Sequence, residues 1–388
     1  MKLKQKLLQT DLILLIGLFL GVVKTADSLS ILFAIPQWLD SLLTLGMCAC
    51  YGLSVLLHRP SLKRLAVYAV AAAIGMYSAL RSGDMSGMIT MLTCIAMADC
   101  DFDRAIEKLF QWNLAFFLHN AIASPVLAFA FGSWDALIHP YNDGYLDNDG
   151  YLDIGYVVHL GFGHKNIMTM HMVNIFLLWL WTRYDRIQLK HLTAVVAACT
   201  VFLVLDQCKA GAGILVFVYL MVLYFRLRKK ETSLLLQVGA ALGPTALLVF
   251  TMGSVYLYRQ GHPLAIFLSR VVTGRIHLGA AAWEQYGLTF FGHLASDVAQ
   301  VENRILFMDN VYLYCMVQIG MLWAIAYCVA FFLLAKKSKD LRVHLCIACW
   351  CLYSFVEFSV FNGLMFMPAL LPALLLSQKK NADCLTTP

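Results

Sequence analysis

A glycine–arginine step between two apolar runs combines two groups that bind phosphate. Gly274-Arg275 follows Ser269 and Arg270 and precedes a stretch that the sequence predicts to be helical through Tyr286. A helix start presents backbone N–H groups to an anion, and an arginine beside it adds a bidentate guanidinium. The pattern predicts that Arg275, with Arg270, binds phosphate or pyrophosphate. The alternative is that both arginines are solvated or contact lipid headgroups.

Two lysines occupy similar positions, each just before an apolar run. Lys209 follows Asp206 and precedes Ala-Gly-Ala-Gly, whose small side chains let another helix or a ligand approach closely. Lys165 follows His164 at the mouth of another apolar run. A cation at the centre of a bilayer costs roughly 2.5–3.5 kcal/mol, and less near the interface. The lysines are therefore either further phosphate ligands or, for Lys209, half of a structural ion pair with Asp206.

Proton transfer needs an acid or a base near the cations. Asp309-Asn310 precedes an apolar run, where a carboxylate beside a desolvating interface can act as a base. The alternative role of this pair is to cap the following helix. His164 is a second candidate, because most of the eleven histidines fall on one predicted side. No histidine pair has metal-ligand spacing and Cys346-x-x-Cys349 lacks a second pair, so the sequence predicts no metal.

Membrane-spanning helices must position these residues. Hydrophobic residues make up 61% of the 388 residues and charged residues only 13%, against about 45–50% and 25% in soluble domains. A spanning helix takes about 20 mainly apolar residues. The chain predicts an all-α, polytopic membrane helix bundle of about twelve spans in a single domain, 1–388. The predicted spans are 7–24, 38–57, 63–80, 85–99, 109–131, 165–182, 192–207, 211–226, 234–256, 311–335, 342–360 and 362–377.

The positive-inside rule orients these spans. Lysine and arginine cluster in alternate short turns, for example around Arg59, Arg228 and Lys337. We predict that these turns and both termini are cytoplasmic. Two longer loops, about 132–164 and 258–310, then face outward, and all the candidate residues above lie at that outer face.

Composition and motifs exclude several functions. The formal net charge of +6 comes mainly from short basic turns between apolar runs, which do not form a nucleic-acid-binding surface. The chain has no Walker or Rossmann glycine pattern, so neither a nucleotide nor another cofactor is predicted.

In their order along the chain, the motifs resemble those of the O-antigen and capsular polysaccharide polymerase family, which is related to the O-antigen ligases. The stretch from Thr273 through Phe291-Gly292 is most similar to the capsule and exopolysaccharide polymerases. The motifs are His164-x-Asn166 at a helix mouth, Lys209 before small residues, Gly274-Arg275, and Asp309-Asn310-x-Tyr312-Leu313 at the next apolar run.

The resemblance implies a GT-C-like fold and a metal-independent glycosyltransferase that joins glycan repeat units carried on undecaprenyl pyrophosphate. The product would be capsule, exopolysaccharide or O-antigen, made at the outer face of the cytoplasmic membrane. Arg275 and Arg270 would bind the donor pyrophosphate, with Lys209 in the place of a family arginine. Asp309 would activate the acceptor hydroxyl, in the place where the ligases have a histidine.

The resemblance also covers the start of the run at 165. His164 and Lys165 occupy the His-Pro-Asn position of the family, with Lys165 in place of the proline. The implied partners are the lipid-linked glycan, the bilayer, a chain-length regulator and a flippase.

Three other functions fit the composition. A lipid-linked oligosaccharide flippase or another transporter would span the membrane in a similar way, but such proteins often contain internal repeats, and none is evident here. A ligase would use the same donor with a different acceptor, and Asp309 in place of histidine favours the polymerase. A structural membrane protein would not need the cations at the outer face.

Overall fold

The computed structural model describes residues 2–146, 152–163, 165–206, 208–228, 233–272, 274–293 and 310–377. Most of them are helical. The first nine helices are α1 (Lys2–Leu29), α2 (Gln37–Leu57), α3 (Leu62–Ser82), α4 (Ser86–Met97), α5 (Phe102–Phe131), α6 (Lys165–Arg183), α7 (Leu189–Asp206), α8 (Lys209–Arg228) and α9 (Leu234–Arg259). They are followed by α10 (Pro263–Val271), α11 (Arg275–Tyr286), α12 (Val311–Tyr314), α13 (Met321–Lys337), α14 (Leu341–Ser354) and α15 (Ala373–Leu376). Two strands, β1 (Ile138–Leu146) and β2 (Leu152–Val158), lie between α5 and α6.

The chain is that of a multi-pass membrane protein. Large apolar side chains are exposed on its long helices, among them Leu45 at 67%, Phe129 at 73% and Leu235 at 84%. Such surfaces are costly in water and suit contact with lipid. Among the described residues, six helices are long and apolar enough to cross a membrane. They are Asp11–Leu29, Gln37–Leu57, Leu62–Ser82, Phe102–Phe131, Ala210–Arg228 and Leu234–Arg259.

The predicted number of about twelve spans is not met. The six helices become up to seven if α10 and α11, which are bent by 118°, form one broken span. The first nine predicted spans each coincide with one of the helices α1 to α9, but α4 has only 12 residues, and α14 only 14. At 1.5 Å per residue, such helices rise roughly 18–21 Å, against a hydrocarbon core of about 30 Å.

The chain divides into two compact units. Unit 1 consists of Met1–Leu14, Tyr51–Phe102 and Tyr224–Pro388, and unit 2 of Leu15–Cys50 and Asp103–Leu223. In unit 1, the fully buried Trp350 of α14 stacks on Tyr327 of α13 with ring centroids 4.9 Å apart, and its indole N–H donates to the carbonyl of Val360 at 3.1 Å. This aromatic packing fixes α14 against α13.

An interrupted helix in unit 1 is held by an extended segment. The predicted span 311–335 is not continuous, because α12 passes into a π-helical turn, Cys315–Ile319, and α13 starts after Gly320. Segment 289–293 runs beside the break. The N–H of Thr289 donates to Met316 O at 2.9 Å, and the N–H of His293 donates to Gln318 O at 2.9 Å. These bonds satisfy carbonyl groups that lose their helical N–H partners at the interruption.

The loop predicted at 132–164 contains a β-hairpin within a structure that is otherwise helical, as the sequence predicts. Strands β1 and β2 pair antiparallel, with Ile138 opposite Val158 and Leu146 opposite Leu152. Backbone hydrogen bonds within the hairpin satisfy its polar groups, so two strands form without an apolar run. In unit 2 the hairpin leads into segment 159–163, whose Gly161 O accepts from Ile31 N at 2.8 Å.

Gly320→Ala is expected to lower the free energy of unfolding by about 1–3 kcal/mol. Gly320 has φ +113°, and a Cβ there would lie 2.5 Å from the carbonyl oxygen of Phe290. Thermal unfolding of the detergent-solubilised protein measures the effect. Gly239→Ala is the control, since a Cβ on that residue of α9 meets no atom within 4 Å. Equal melting temperatures for Gly320→Ala and the wild type would contradict the packing described here.

Candidate functional site

Arg275 is the first residue of α11, as the sequence predicts. Gly274 precedes it with φ +77°. The Arg275 guanidinium donates from Nη1 to Val272 O at 3.4 Å and from Nη2 to Val356 O at 3.3 Å. The second contact ties the start of α11 to the residues that follow α14. Arg270 lies in the last turn of α10, where it is exposed.

The joint between α10 and α11 is built around buried Ser269. Its hydroxyl oxygen accepts from His277 N at 3.1 Å, and its carbonyl accepts from Gly274 N at 2.6 Å. The apolar side of α11 packs on α9 and α12 through Ile276, which belongs to a buried cluster with Val255 and Leu313. Arg275 is therefore placed by a rigid corner, because both the polar and the apolar sides of the helix start are anchored.

Asn310 caps α12, which confirms the helix-cap interpretation for this residue. Its Oδ1 accepts from Tyr312 N at 2.8 Å and from Leu313 N at 3.1 Å, and its Nδ2 donates to Phe355 O at 3.1 Å. The side chain is only 2% exposed. Asp309, the predicted base, lies outside the described residues. Asn310 itself lies beside Phe355, one residue before the carbonyl that Arg275 contacts.

Several polar side chains lie at or near segment 355–358, and we call them the Arg275 cluster. The cluster also includes Glu357, which is 4% exposed and caps the following turn by accepting from Ser359 N at 3.1 Å. Its members are Asp84, Arg275, Asn310, Tyr314 and Glu357.

Tyr314 connects the cluster to the turn between α3 and α4. Its ring lies 5.1 Å from that of Phe358, and its hydroxyl donates to Asp84. The sequence interpretation missed Asp84. Its position between two apolar runs, on the same predicted side as Arg275, is a signal that could have found it. Because Ser86 N also donates to Asp84 at 2.7 Å, both carboxylate oxygens accept hydrogen bonds.

The Arg275 cluster lies at the end of unit 1 that is opposite the basic turns. Gln237 at the start of α9 and His344 at the start of α14 both contact Ala335 O, close to Lys337. At the other end, Phe250 of α9 packs on Phe355 with ring centroids 5.8 Å apart. Helices α9 and α14 thus run from the basic end of the unit to the cluster.

Two further candidate cations are the first residues of helices whose starts are adjacent in unit 2. Lys165 is the first residue of α6, and Lys209 is the first residue of α8. The Cys208 thiol contacts Asn166 Oδ1 at 3.6 Å, so the starts of these two helices are adjacent. His164, the remaining predicted residue, lies outside the described residues and directly precedes α6.

The paired helix starts form a positive environment. Neither α6 nor α8 has an acidic residue in its first turn. Each helix start carries the positive end of a macrodipole, where a lysine is unfavourable by roughly 0.3–1 kcal/mol. Chemically, such a place suits an anion such as phosphate, because the free backbone N–H groups of both helix starts can donate to it.

The two buried histidines near this region are packing residues rather than acids or bases. His171 is fully buried, with its Nε2 3.2 Å from Asn113 O and its ring against Phe116 and Phe162. His159 is 2% exposed and its Nε2 lies 3.1 Å from Asp135 O. The sequence groups them with the outer histidines, but both side chains are almost completely buried.

Comparison of the chain with protein-family models, curated proteins and solved structures finds no match in any of the three. Membrane character follows from the apolar helices themselves. The features that bear on function are the cationic helix starts and the polar side chains around Arg275.

Asn310→Ala is expected to lower the free energy of unfolding by about 1–2 kcal/mol, because α12 loses its cap and Phe355 O loses a donor. Asn310→Ser keeps an acceptor for the helix N–H groups but loses the amide donor, so we expect an intermediate effect. Thermal unfolding in detergent distinguishes the three proteins. If serine were as destabilising as alanine, the capping bonds would not be the main contribution.

Proposed function

We propose that this protein is a polysaccharide polymerase that joins oligosaccharide repeat units carried on undecaprenyl pyrophosphate. The observation that carries the proposal is the adjacency of the starts of α6 and α8, each beginning with a lysine and linked by the Asn166–Cys208 contact. Two adjacent helix starts bring the positive ends of two macrodipoles together, which an anion would stabilise. A pyrophosphate supplies the negative charge that makes this arrangement favourable.

Arg275 in unit 1 supports the same chemistry. The guanidinium is held between Val272 O and Val356 O at a rigid helix start, so it is preorganised for a phosphate oxygen. Polymerisation consumes two lipid-linked substrates, each with a pyrophosphate. More than one cationic helix start is therefore expected. Arg270, at the end of the preceding helix, would add charge to the Arg275 side.

The reaction needs only positioned cations and a base. The acceptor hydroxyl attacks the anomeric carbon of the donor, the sugar–phosphate bond breaks, and the pyrophosphate leaves on its lipid. The cations stabilise the leaving group, and a carboxylate takes the hydroxyl proton. We propose Asp309 for that role, next to the buried cap Asn310, and His164 as a second proton-transfer group next to Lys165. The energy comes from the donor bond, so no nucleotide is required.

The proposed location is the outer face of the cytoplasmic membrane, with both termini inside. In unit 1 the Arg275 cluster lies opposite the basic end, which the positive-inside rule assigns to the cytoplasm. Lipid-linked repeat units, the bilayer, a flippase that delivers the units and a chain-length regulator are the proposed partners. A GT-C-like arrangement of the helices belongs to the same proposal.

Removing the cations is expected to stop chain growth. We predict that Arg275→Ala, and the double variant Lys165→Ala with Lys209→Ala, each reduce polymer formation by roughly 100-fold, the usual cost of losing a preorganised group that stabilises developing charge. Single repeat units on the lipid should accumulate at the outer face. The measurement is the size distribution of lipid-linked glycan in producing cells, with protein level and membrane insertion checked.

Matched controls test whether the effect is specific to the site. Lys190→Ala removes an exposed lysine from the start of α7, and Arg259→Ala removes an exposed arginine that stacks on Trp283 at 5.4 Å. Both should polymerise normally. Units trapped at the inner face would instead identify a flippase, and long polymer that fails to reach its final acceptor would identify a ligase. If the control variants also lost polymer, the assignment of Arg275, Lys165 and Lys209 to the site would be contradicted.

A further inference from the structure

Three side chains that are distant in sequence meet at the basic end of unit 1. Asp11 lies in α1, His58 follows the end of α2, and Cys100 lies in the turn between α4 and α5. One carboxylate oxygen, one imidazole nitrogen and the thiol sulfur all lie within 4.8 Å of one another. Carboxylate, imidazole and thiolate are the groups that bind zinc, and three protein ligands leave one position for water. We propose that Asp11, His58 and Cys100 form a zinc-binding site.

The orientation of the His58 ring supports the proposal. Its Nδ1 lies 2.8 Å from the carbonyl oxygen of Ser54. A carbonyl only accepts, so Nδ1 carries the proton and Nε2 of the neutral ring has the free lone pair. Nε2 is the atom that faces Cys100, 3.8 Å from its sulfur. Histidine ligands of metals usually donate their second N–H to a carbonyl in this way.

The surroundings hold the three ligands in place. Fully buried Ser54 also contacts the Cys100 sulfur with its hydroxyl at 3.8 Å, so one residue touches two of the ligands. The neighbour of Cys100, Asp99, forms an ion pair with Arg64 at 2.9 Å, which attaches the α4–α5 turn to the start of α3. Arg59, directly after His58, has φ +52°, an unfavourable conformation that the surrounding structure maintains.

A packed helix end could make each of these contacts by itself. The Cys100 thiol, for example, also contacts Ala96 O at 3.3 Å. The combination is what indicates a metal, because three different ligand types converge and the imidazole turns Nε2 toward the Cys100 sulfur. Zinc–ligand bonds of about 2.0–2.3 Å place ligand atoms roughly 3.5 Å apart. Side-chain movements of about 1 Å would therefore bring the three ligand atoms to zinc-binding distances.

Metal binding would release a proton and join three segments. Burial raises the pKa of the Cys100 thiol to about 12, so without a metal the sulfur keeps its proton. On binding, the metal–sulfur bond forms, the S–H bond breaks and the proton leaves to water. The cation would then connect α1, the end of α2 and the α4–α5 turn. The site lies at the basic end of unit 1, which is cytoplasmic in the proposed orientation. It would therefore bind zinc from the cytoplasm.

Cobalt(II) is the probe for this site, because it replaces zinc in tetrahedral sites and its spectrum reports sulfur coordination. The full-length protein, purified with a tag that contains no histidine, is titrated with cobalt(II). We expect one equivalent to give visible bands of tetrahedral coordination and a near-ultraviolet sulfur-to-cobalt charge-transfer band. Zinc should then displace the cobalt. Absence of the charge-transfer band in the wild-type protein would overturn the proposal, whatever the variants do.

Single substitutions assign the ligands. Cys100→Ser should abolish the charge-transfer band, and Asp11→Asn or His58→Gln should weaken cobalt binding by more than the roughly 10- to 100-fold that loss of an outer-shell partner costs. Cys50→Ser, on α2, and His191→Gln, on α7, are controls that should bind as the wild type does. A charge-transfer band that persists in Cys100→Ser would disprove the assignment. Each variant must elute as a single species, and none of these measurements depends on glycan synthesis.

Discussion

A chain inside a bilayer has to hydrogen-bond its own backbone, since lipid offers no donors or acceptors. Unit 1 meets this constraint even where its helix breaks. The carbonyl groups of Met316 and Gln318 accept from the N–H groups of Thr289 and His293, and Ile319 O accepts from the hydroxyl of Ser78 at 2.7 Å. Because these bonds fix the break, α12 can end short of a full span. Its capped start then comes to lie against segment 355–358, beside Arg275.

The charged residues of unit 1 include two ion pairs at its basic end. At the basic end of unit 1, Arg64 pairs with Asp99 and Arg342 pairs with Asp340, so cations there have carboxylate partners. Helices α6 and α8 each begin with a lysine, a position that the helix macrodipole does not favour. A bound anion would offset that cost, and this is the physical basis of the proposal for pyrophosphate at these two helix starts.

Much of the fold could be predicted from hydrophobic run length, since α1 to α9 coincide with the predicted spans. The start of α11 at Arg275 and the Asn310 cap were also readable, because glycine and asparagine have strong local preferences there. The break after Ile319 was not, since the run 311–335 is uniformly apolar and its partner is segment 289–293. Asp84 was missed because its contact with Tyr314 joins residues 230 positions apart. The hairpin was missed because backbone pairing, not apolar spacing, forms it.

The close contact between the backbones at Gly292 and Gly320 affects how the protein is assembled during its synthesis. A Cβ on Gly292 would lie 2.7 Å from Gln318 O, and one on Gly320 would lie 2.5 Å from Phe290 O, so the two backbones touch directly. The ribosome makes segment 289–293 before the residues it pairs with. Until residues 315–320 leave the ribosome, the N–H groups of Thr289 and His293 lack these carbonyl partners. During that time they have to hydrogen-bond to water or to the insertion machinery. Segment 289–293 can therefore reach its final position only after residues 315–320 have been made.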